Sequence, residues 1–273
     1  MNPASEMATA LDPARLMTAS GMEPDEWQRR ILRSGWERAL LLCSRQAGKS
    51  SVTAALGLHR ALYCEGSLVL LVAPSLRQSR ELFSKVWGFY RAAGMPGEVE
   101  KKSALRATFG NGSRIIALPG TEGTIRGFSG VDLLVIDEAA RVEDELYNAL
   151  RPMLAVSGGR LVALTTPAGR RGWFYEAYTS PEEEWQRERI PAGECPRITE
   201  AFLEQERREL GRYFFEQEYE CRFHDAEGSL FTRAEIDGAF STDVEPLFGS
   251  APEEQEAGDP ASEHSSPIQP LDL

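Results

Sequence analysis

Three consecutive residues, Gly48-Lys49-Ser50, offer the first recognisable chemistry in this chain. A glycine lets backbone N–H groups approach an anion closely, and a lysine adds a positive charge on a long arm. A serine hydroxyl is a hard oxygen ligand for a divalent cation. The three close the stretch Cys43-Ser44-Arg45-Gln46-Ala47-Gly48-Lys49-Ser50, with Ser51 directly after it. This fits the phosphate-loop pattern G-x-x-x-x-G-K-[ST] except at the first position, where Cys43 replaces glycine. If the pattern is functional, residues 44–51 cradle the phosphates, Lys49 reaches the β- and γ-phosphates, and Ser50 ligates Mg²⁺. The competing reading is a chance Gly-Lys-Ser at a helix start.

A second acidic signal lies about ninety residues downstream. Leu133-Leu134-Val135-Ile136 is followed by Asp137-Glu138, an apolar strand ending in two carboxylates. In the Walker B arrangement Asp137 holds Mg²⁺ and Glu138 orients and polarises the attacking water. Adjacent acids after a strand also serve as helix N-terminal caps. The pairing with the phosphate loop favours nucleotide hydrolysis.

The elements that must position these residues read as an α/β alternation. Arg38–Cys43 is expected to be a buried strand feeding the loop, and Lys49–Tyr63 the helix after it. Leu68–Ala73 reads as a strand and Leu76–Ala92 as an amphipathic helix. Leu105–Phe109 and Ser113–Leu118 flank Gly110-Asn111-Gly112, a hairpin turn. Val131–Ile136 is apolar at all but one position, as for a central parallel strand covered on both faces. Then come a helix over Glu143–Leu154, a strand over Arg160–Thr165, a helix over Arg171–Tyr178 and an edge strand over Glu184–Ile190. Helices near Thr199–Glu209 and Arg212–Tyr219 close the body, with order expected to end around Phe231–Phe240.

Composition sets the outer limits. The 273 residues are 42% hydrophobic and 26% charged, ordinary for a soluble globular chain. No apolar run is long enough to cross a bilayer, and the N-terminus lacks the pattern of a signal peptide. Four scattered cysteines without a C-x-x-C, and three histidines, argue against a disulfide framework or a zinc site. The expected location is cytoplasmic, with no membrane partner. The net charge is −12, but residues 243–273 hold eight acids and no lysine or arginine. The remaining −4 over residues 1–242 leaves a nucleic-acid partner open. The Pro/Ser/Glu-rich tail reads as disordered. A nucleic-acid mimic is a second reading of it.

Taken in order, the motifs resemble those of large terminase subunits, the ATP-driven DNA packaging motors of tailed phages and prophages. Pro24-Asp25-Glu26-Trp27-Gln28 is similar to the family's adenine-contacting segment, and Ser44–Ser50 to its form of Walker A. Ala73–Ser79, Ile125-Arg126-Gly127-Phe128 before Walker B, Leu164-Thr165-Thr166-Pro167 as a γ-phosphate-sensing coupling motif, and Phe215–Tyr219 complete the series.

The resemblance implies a P-loop NTPase of the ASCE/RecA-like class, a mostly parallel sheet flanked by helices with a short C-terminal helical extension. It implies ATP and Mg²⁺ as ligands, Gln28 reading the adenine edge, and Thr165 and Thr166 beside the γ-phosphate. Arg45 is a candidate γ-phosphate contact in cis, or else a salt-bridge partner of Glu138 or a neighbouring acid. Arg126 is a candidate arginine finger in trans, or else a surface arginine in a Gly-rich turn. Arg160, Arg170 and Arg171 are candidates for meeting DNA phosphates, or else solvated helix-end arginines. The expected domains are an N-terminal segment over 1–20, an ATPase core over 21–195, a helical extension over 196–242 and the tail over 243–273. Double-stranded DNA, a portal protein, a small terminase subunit and further copies in a ring are the implied partners. No aspartate-rich nuclease region is recognisable after residue 240, so cleavage by this chain is not expected. Two functions remain open: a motor ATPase, or a remnant that binds nucleotide or other terminase subunits without packaging.

Overall fold

The computed structural model describes residues 3–120, 127–181, 185–225 and 238–239. Residues Met1–Ser229 form one compact unit; of the second, Leu230–Leu273, two residues are described. The expected end of order around Phe231–Phe240 and the acidic tail therefore lie outside the described residues, apart from Gly238 and Ala239.

The first unit is built on eight strands: β1 (Arg38–Cys43), β2 (Leu68–Ala73), β3 (Val99–Lys102), β4 (Arg106–Phe109), β5 (Arg114–Pro119), β6 (Leu133–Asp137), β7 (Arg160–Thr165) and β8 (Gln186–Ile190). They form one sheet in the order β3-β4-β5-β2-β6-β7-β1-β8. Strands β5 through β8 in that order are parallel; β4 and β3 extend one edge antiparallel. The hairpin expected around Gly110-Asn111-Gly112 is the β4–β5 connection. Strand β8 lies at the opposite edge, paired to β1.

The near-continuous apolar strands follow from burial on both faces. Because side chains alternate, Leu41 and Cys43 of β1 enter the core under α4 (Lys49–Tyr63) and α5 (Leu76–Ala92). Leu40 and Leu42 enter the core on the other face, with Trp173 and Phe174 of α7 (Gly172–Thr179). All four β1 side chains are at most 1% exposed, and each such leucine contributes about 1.5–3 kcal/mol through burial. Helix α5 starts at Ser75, whose Oγ accepts the Gln78 N–H.

Three departures from the sequence reading have physical reasons. The N-terminal segment holds two helices, α1 (Pro3–Leu11) and α2 (Ala14–Ala19), and α2 buries Leu16 and Met17 against the core. The expected helix over Glu143–Leu154 is α6 (Asp144–Leu150) followed by a 3₁₀ turn, Arg151–Leu154. Pro152 lacks the N–H that a continuing α-helix needs, but suits the first positions of a new turn. Strand β3, Val-Glu-Lys-Lys, has a polar edge composition that gave no strand signal.

Candidate active site

Strand β1 delivers the phosphate loop between itself and α4. Gln46 (φ 59°) and Gly48 (φ 89°) both take left-handed backbone conformations, which fold the loop back to the start of α4. The φ of Gly48 favours glycine, and a Cβ there would meet Gln28 Nε2 at 2.6 Å and push that amide aside. Among the described residues no side chain caps α4; the Ser51 and Val52 N–H groups bond the Gly48 carbonyl, so those of Lys49 and Ser50 are the ones placed to meet an anion.

Strand β6 brings the acids to the same end of the sheet. Ser50 Oγ donates to Asp137 Oδ2 at 3.2 Å, and Lys49 Nζ lies 3.0 Å from Glu138 Oε1. Strand β7 separates β1 from β6 and ends in Thr165, with Thr166 directly after it. Asp137 is almost wholly buried; burial pushes its carboxyl up, as does the Glu138 charge, while Lys49 and Ser50 pull it down. Two hard oxygen donors, a hydroxyl and a buried carboxylate in mutual contact, fit a Mg²⁺ site.

Glu138 has φ 52°, a conformation that few non-glycine residues adopt. It is held there from several sides. Its N–H donates to Asp137 Oδ1 at 3.0 Å and its carbonyl accepts the Arg141 N–H at 2.9 Å. Its second carboxylate oxygen accepts from Arg141 Nη1 at 2.6 Å. The same Nη1 donates to Thr166 Oγ1 at 3.3 Å. Thr165 Oγ1 is turned inward and donates to the Thr166 carbonyl at 2.7 Å.

A cavity of about 690 Å³ opens beside Gly48 and Ser51. Met17, Met22, Pro24, Asp25, Gln28 and Arg197 are among its walls, a mix of apolar and polar side chains. Gln28 belongs to helix α3 (Glu26–Arg33), where it completes a capping box with Asp25. Its Oε1 accepts the Asp25 N–H at 2.8 Å, and its Nε2 donates to the Ala47 carbonyl at 3.4 Å. Arg197 grips both Asp25 oxygens at 2.6 and 2.7 Å and donates to the Ala47 carbonyl at 3.1 Å.

Arg45 pairs with Glu218 of the last described long helix, at 2.6 Å; the C-terminal helices are α8 (Glu200–Glu209) and α9 (Gly211–Glu218). Of the two sequence readings of Arg45, the neighbouring-acid contact is the one present. Arg126 lies outside the described residues.

Of the three arginines considered for DNA phosphates, Arg160 is engaged within the fold. Its guanidinium donates to the Trp36 and Ser34 carbonyls at 2.7 and 3.0 Å and sits over the Trp36 ring, half-buried. Arg170 turns to Asp225 and the Phe223 carbonyl, while Arg171 is exposed. Trp27 packs in the core, and Cys43 is buried with its thiol pushed up by burial. Sequence reasoning missed Arg141 and Arg197. The i, i+3 spacing of Glu138 and Arg141 was a usable signal; the pairing of Asp25 with Arg197 had none.

A phosphate loop, an acid-ended strand and a strand inserted between them define a P-loop NTPase fold. The chain matches the family described as terminase large subunit, T4likevirus-type, N-terminal, over residues 40–237, and it belongs to that family. It is 27% identical over 195 residues to the terminase large subunit of Escherichia phage T5, covering 69% of this chain but 44% of that protein. The chain thus spans less than half the length of that relative. The Thermus phage P74-26 large terminase ATPase domain superposes with a TM-score of 0.68 at 22% identity, covering 78% of this chain and all of that one. The large terminase of bacteriophage HK97 gives a TM-score of 0.53 at 17% identity, covering 66% of this chain and 41% of that chain. No helix of the described residues is long and apolar enough to cross a membrane.

Proposed function

We propose that this chain is the ATP-hydrolysing motor domain of a large terminase subunit, driving double-stranded DNA into a procapsid. The observation that supports it most is the meeting of Lys49 with Glu138 and of Ser50 with Asp137 at one end of the sheet. One pair supplies a phosphate-binding cation and a water-activating carboxylate; the other supplies oxygen donors for Mg²⁺. The cavity lined by Asp25, Gln28 and Arg197 has the position and size for a nucleoside. A large terminase from a thermophilic bacteriophage, similar in fold at a TM-score of 0.60, is known in complex with ADP.

In this reading the loop from Ser44 to Ser51 wraps the phosphates, and Lys49 leaves Glu138 to reach the terminal ones. The N–H groups between Gln46 and Ser50 are turned to the phosphates, while those of Ser44 and Arg45 stay bonded to the Ile190 and Glu218 carbonyls. Ser50 and Asp137 would hold Mg²⁺, which would neutralise charge that builds on the phosphate oxygens. Glu138, freed on one side, orients a water in line with the γ-phosphorus and takes its proton. Thr165 and Thr166 respond to loss of the γ-phosphate at the end of β7. Arg126, by its resemblance to a finger in trans, completes the site of a neighbouring copy in a ring on the portal. The small terminase subunit would deliver the DNA, and the host cytoplasm would be the setting.

The test is ATP turnover by purified chain with Mg²⁺, with and without double-stranded DNA and portal. Turnover abolished by Glu138→Gln and raised by DNA supports the motor reading. ATP binding without any turnover under these conditions would leave a nucleotide-binding module instead.

A further inference from the structure

We infer that Arg141 is a positioning residue for the reaction, holding the Glu138 carboxylate toward the phosphate loop and tying it to Thr166. The inference rests on the hydrolase reading above and adds a residue that the Walker motifs do not include.

The argument starts from the two bonds on Glu138. One carboxylate oxygen faces Lys49 at 3.0 Å and the other faces Arg141 at 2.6 Å. Glu138 is largely buried, so its charge needs a partner at all times. When Lys49 turns to a phosphate, the bond to Arg141 is the one that stays. That guanidinium then supplies the compensating charge and fixes which way the free oxygen points. Glu138 caps the 3₁₀ turn Ala139–Arg141, and Arg141 bonds it through both its N–H and its guanidinium, so the geometry is set within one turn. An arginine is suited to the task because it stays charged and its planar group holds a direction.

The second contact gives the arrangement a reach beyond the carboxylate. Arg141 Nη1 also donates to Thr166 Oγ1 at 3.3 Å, just after β7. The segment that follows carries Arg170, which pairs with Asp225 at 3.5 Å and donates to the Phe223 carbonyl. A shift of Glu138 during turnover therefore moves a donor shared with the segment that binds Phe223 and Asp225.

Steady-state kinetics of ATP hydrolysis test this in the full chain. Arg141→Ala should lower kcat by about 10²-fold, the cost of a misaimed catalytic group, with KM for ATP nearly unchanged. Arg141→Lys, which keeps a charged donor, should recover part of the loss, and it also serves if the alanine variant does not fold. Adding Thr166→Val to Arg141→Ala should cost less than the two single losses combined, because the contact runs through the guanidinium. Wild-type kcat in Arg141→Ala, a fall in kcat matched by a rise in KM without recovery in Arg141→Lys, or additive losses with Thr166→Val would each overturn the assignment. Glu138→Gln keeps the two readings apart. If wild type shows no ATP turnover, the hydrolase reading fails. If Glu138→Gln is as active as wild type, Glu138 is not the water-activating carboxylate and the positioning role falls with it. If Glu138→Gln is dead while Arg141→Ala is fully active, only the positioning role fails.

Discussion

Arg45 and Glu218, 173 residues apart, are bonded twice. The Arg45 N–H donates to the Glu218 carbonyl at 2.9 Å, and its Nε donates to the Glu218 carboxylate at 2.6 Å. The phosphate loop is thereby fastened to the C-terminal end of α9, and the arginine that could contact a γ-phosphate is already engaged. Glu218→Ala should release it and tighten ATP binding by up to about fivefold, the ~1 kcal/mol that such a partly exposed pair delivers at most. Titration calorimetry checks this. Weaker binding would mean that Glu218 shapes the loop rather than competing for its arginine.

Lys49→Ala and Glu138→Gln should fail in different ways. Without Lys49 the phosphates lose their mobile cation, and ATP affinity should drop at least tenfold, on the order of the 1.5–3 kcal/mol of a charged hydrogen bond. Glu138→Gln should hold ATP as wild type does but turn over about 10²–10⁴-fold more slowly. Filter binding together with phosphate release separates the two outcomes.

Gly48→Ala should be more damaging than a one-carbon change suggests. At φ 89° an alanine costs about 1–2 kcal/mol in backbone strain. Its Cβ would also press on Gln28 Nε2, displacing the amide that holds the Ala47 carbonyl. Loss of nucleotide binding with a lowered melting temperature is expected. An unchanged melting temperature would show that the loop does not need this conformation.

His59 predicts an acid-sensitive N-terminus. Its Nε2–H is shared by the Thr9 and Ala10 carbonyls at 3.1 and 3.0 Å, joining α4 to α1. Burial pushes the imidazole below its usual range, outweighing the two carbonyl contacts and Asp12, which pull it up. The folded chain therefore resists a proton that the unfolded chain accepts near pH 6.5, so this contribution to stability is full above that pH and is lost as pH falls through the lowered folded value. Urea midpoints between pH 7.5 and 5.5 should fall less in His59→Gln than in wild type. Equal falls would assign the acid sensitivity to other groups.

Arg126 calls for a mixing experiment. Arg126→Ala and Glu138→Gln proteins, each inactive alone, should regain some ATP turnover when combined, because a mixed interface can join an intact arginine to an intact carboxylate. No recovery at any ratio would place the finger in cis and favour Arg45.

What the sequence made legible follows a physical division. Strands β1, β2, β6 and β7 were readable because covering both faces of a parallel strand demands unbroken Leu/Val/Ile runs. The phosphate loop and Asp137-Glu138 were readable because their chemistry is contained in consecutive residues. Helix α1 was not, since it buries Thr9 but leaves Met7 and Leu11 exposed, so no clean apolar stripe marks it. The helix break at Arg151 turned on Pro152, and β3 on pairing with β4 rather than on its own composition. At the site, Gln28 was singled out, but its engagement with both Asp25 and Ala47 depends on a fold that returns Arg197 to the same place. Contacts between residues so far apart in the chain leave no mark in local spacing.

The Asp25–Arg197 clasp has a bearing on how the unit can be cut. The stretch shared with the family begins at residue 40, after Asp25 and Gln28. A fragment started there would keep every Walker residue, yet lack one wall of the nucleoside cavity and the partner of Arg197. Homology and working boundary differ by at least one helix, and an expression fragment meant to bind nucleotide should begin before α2.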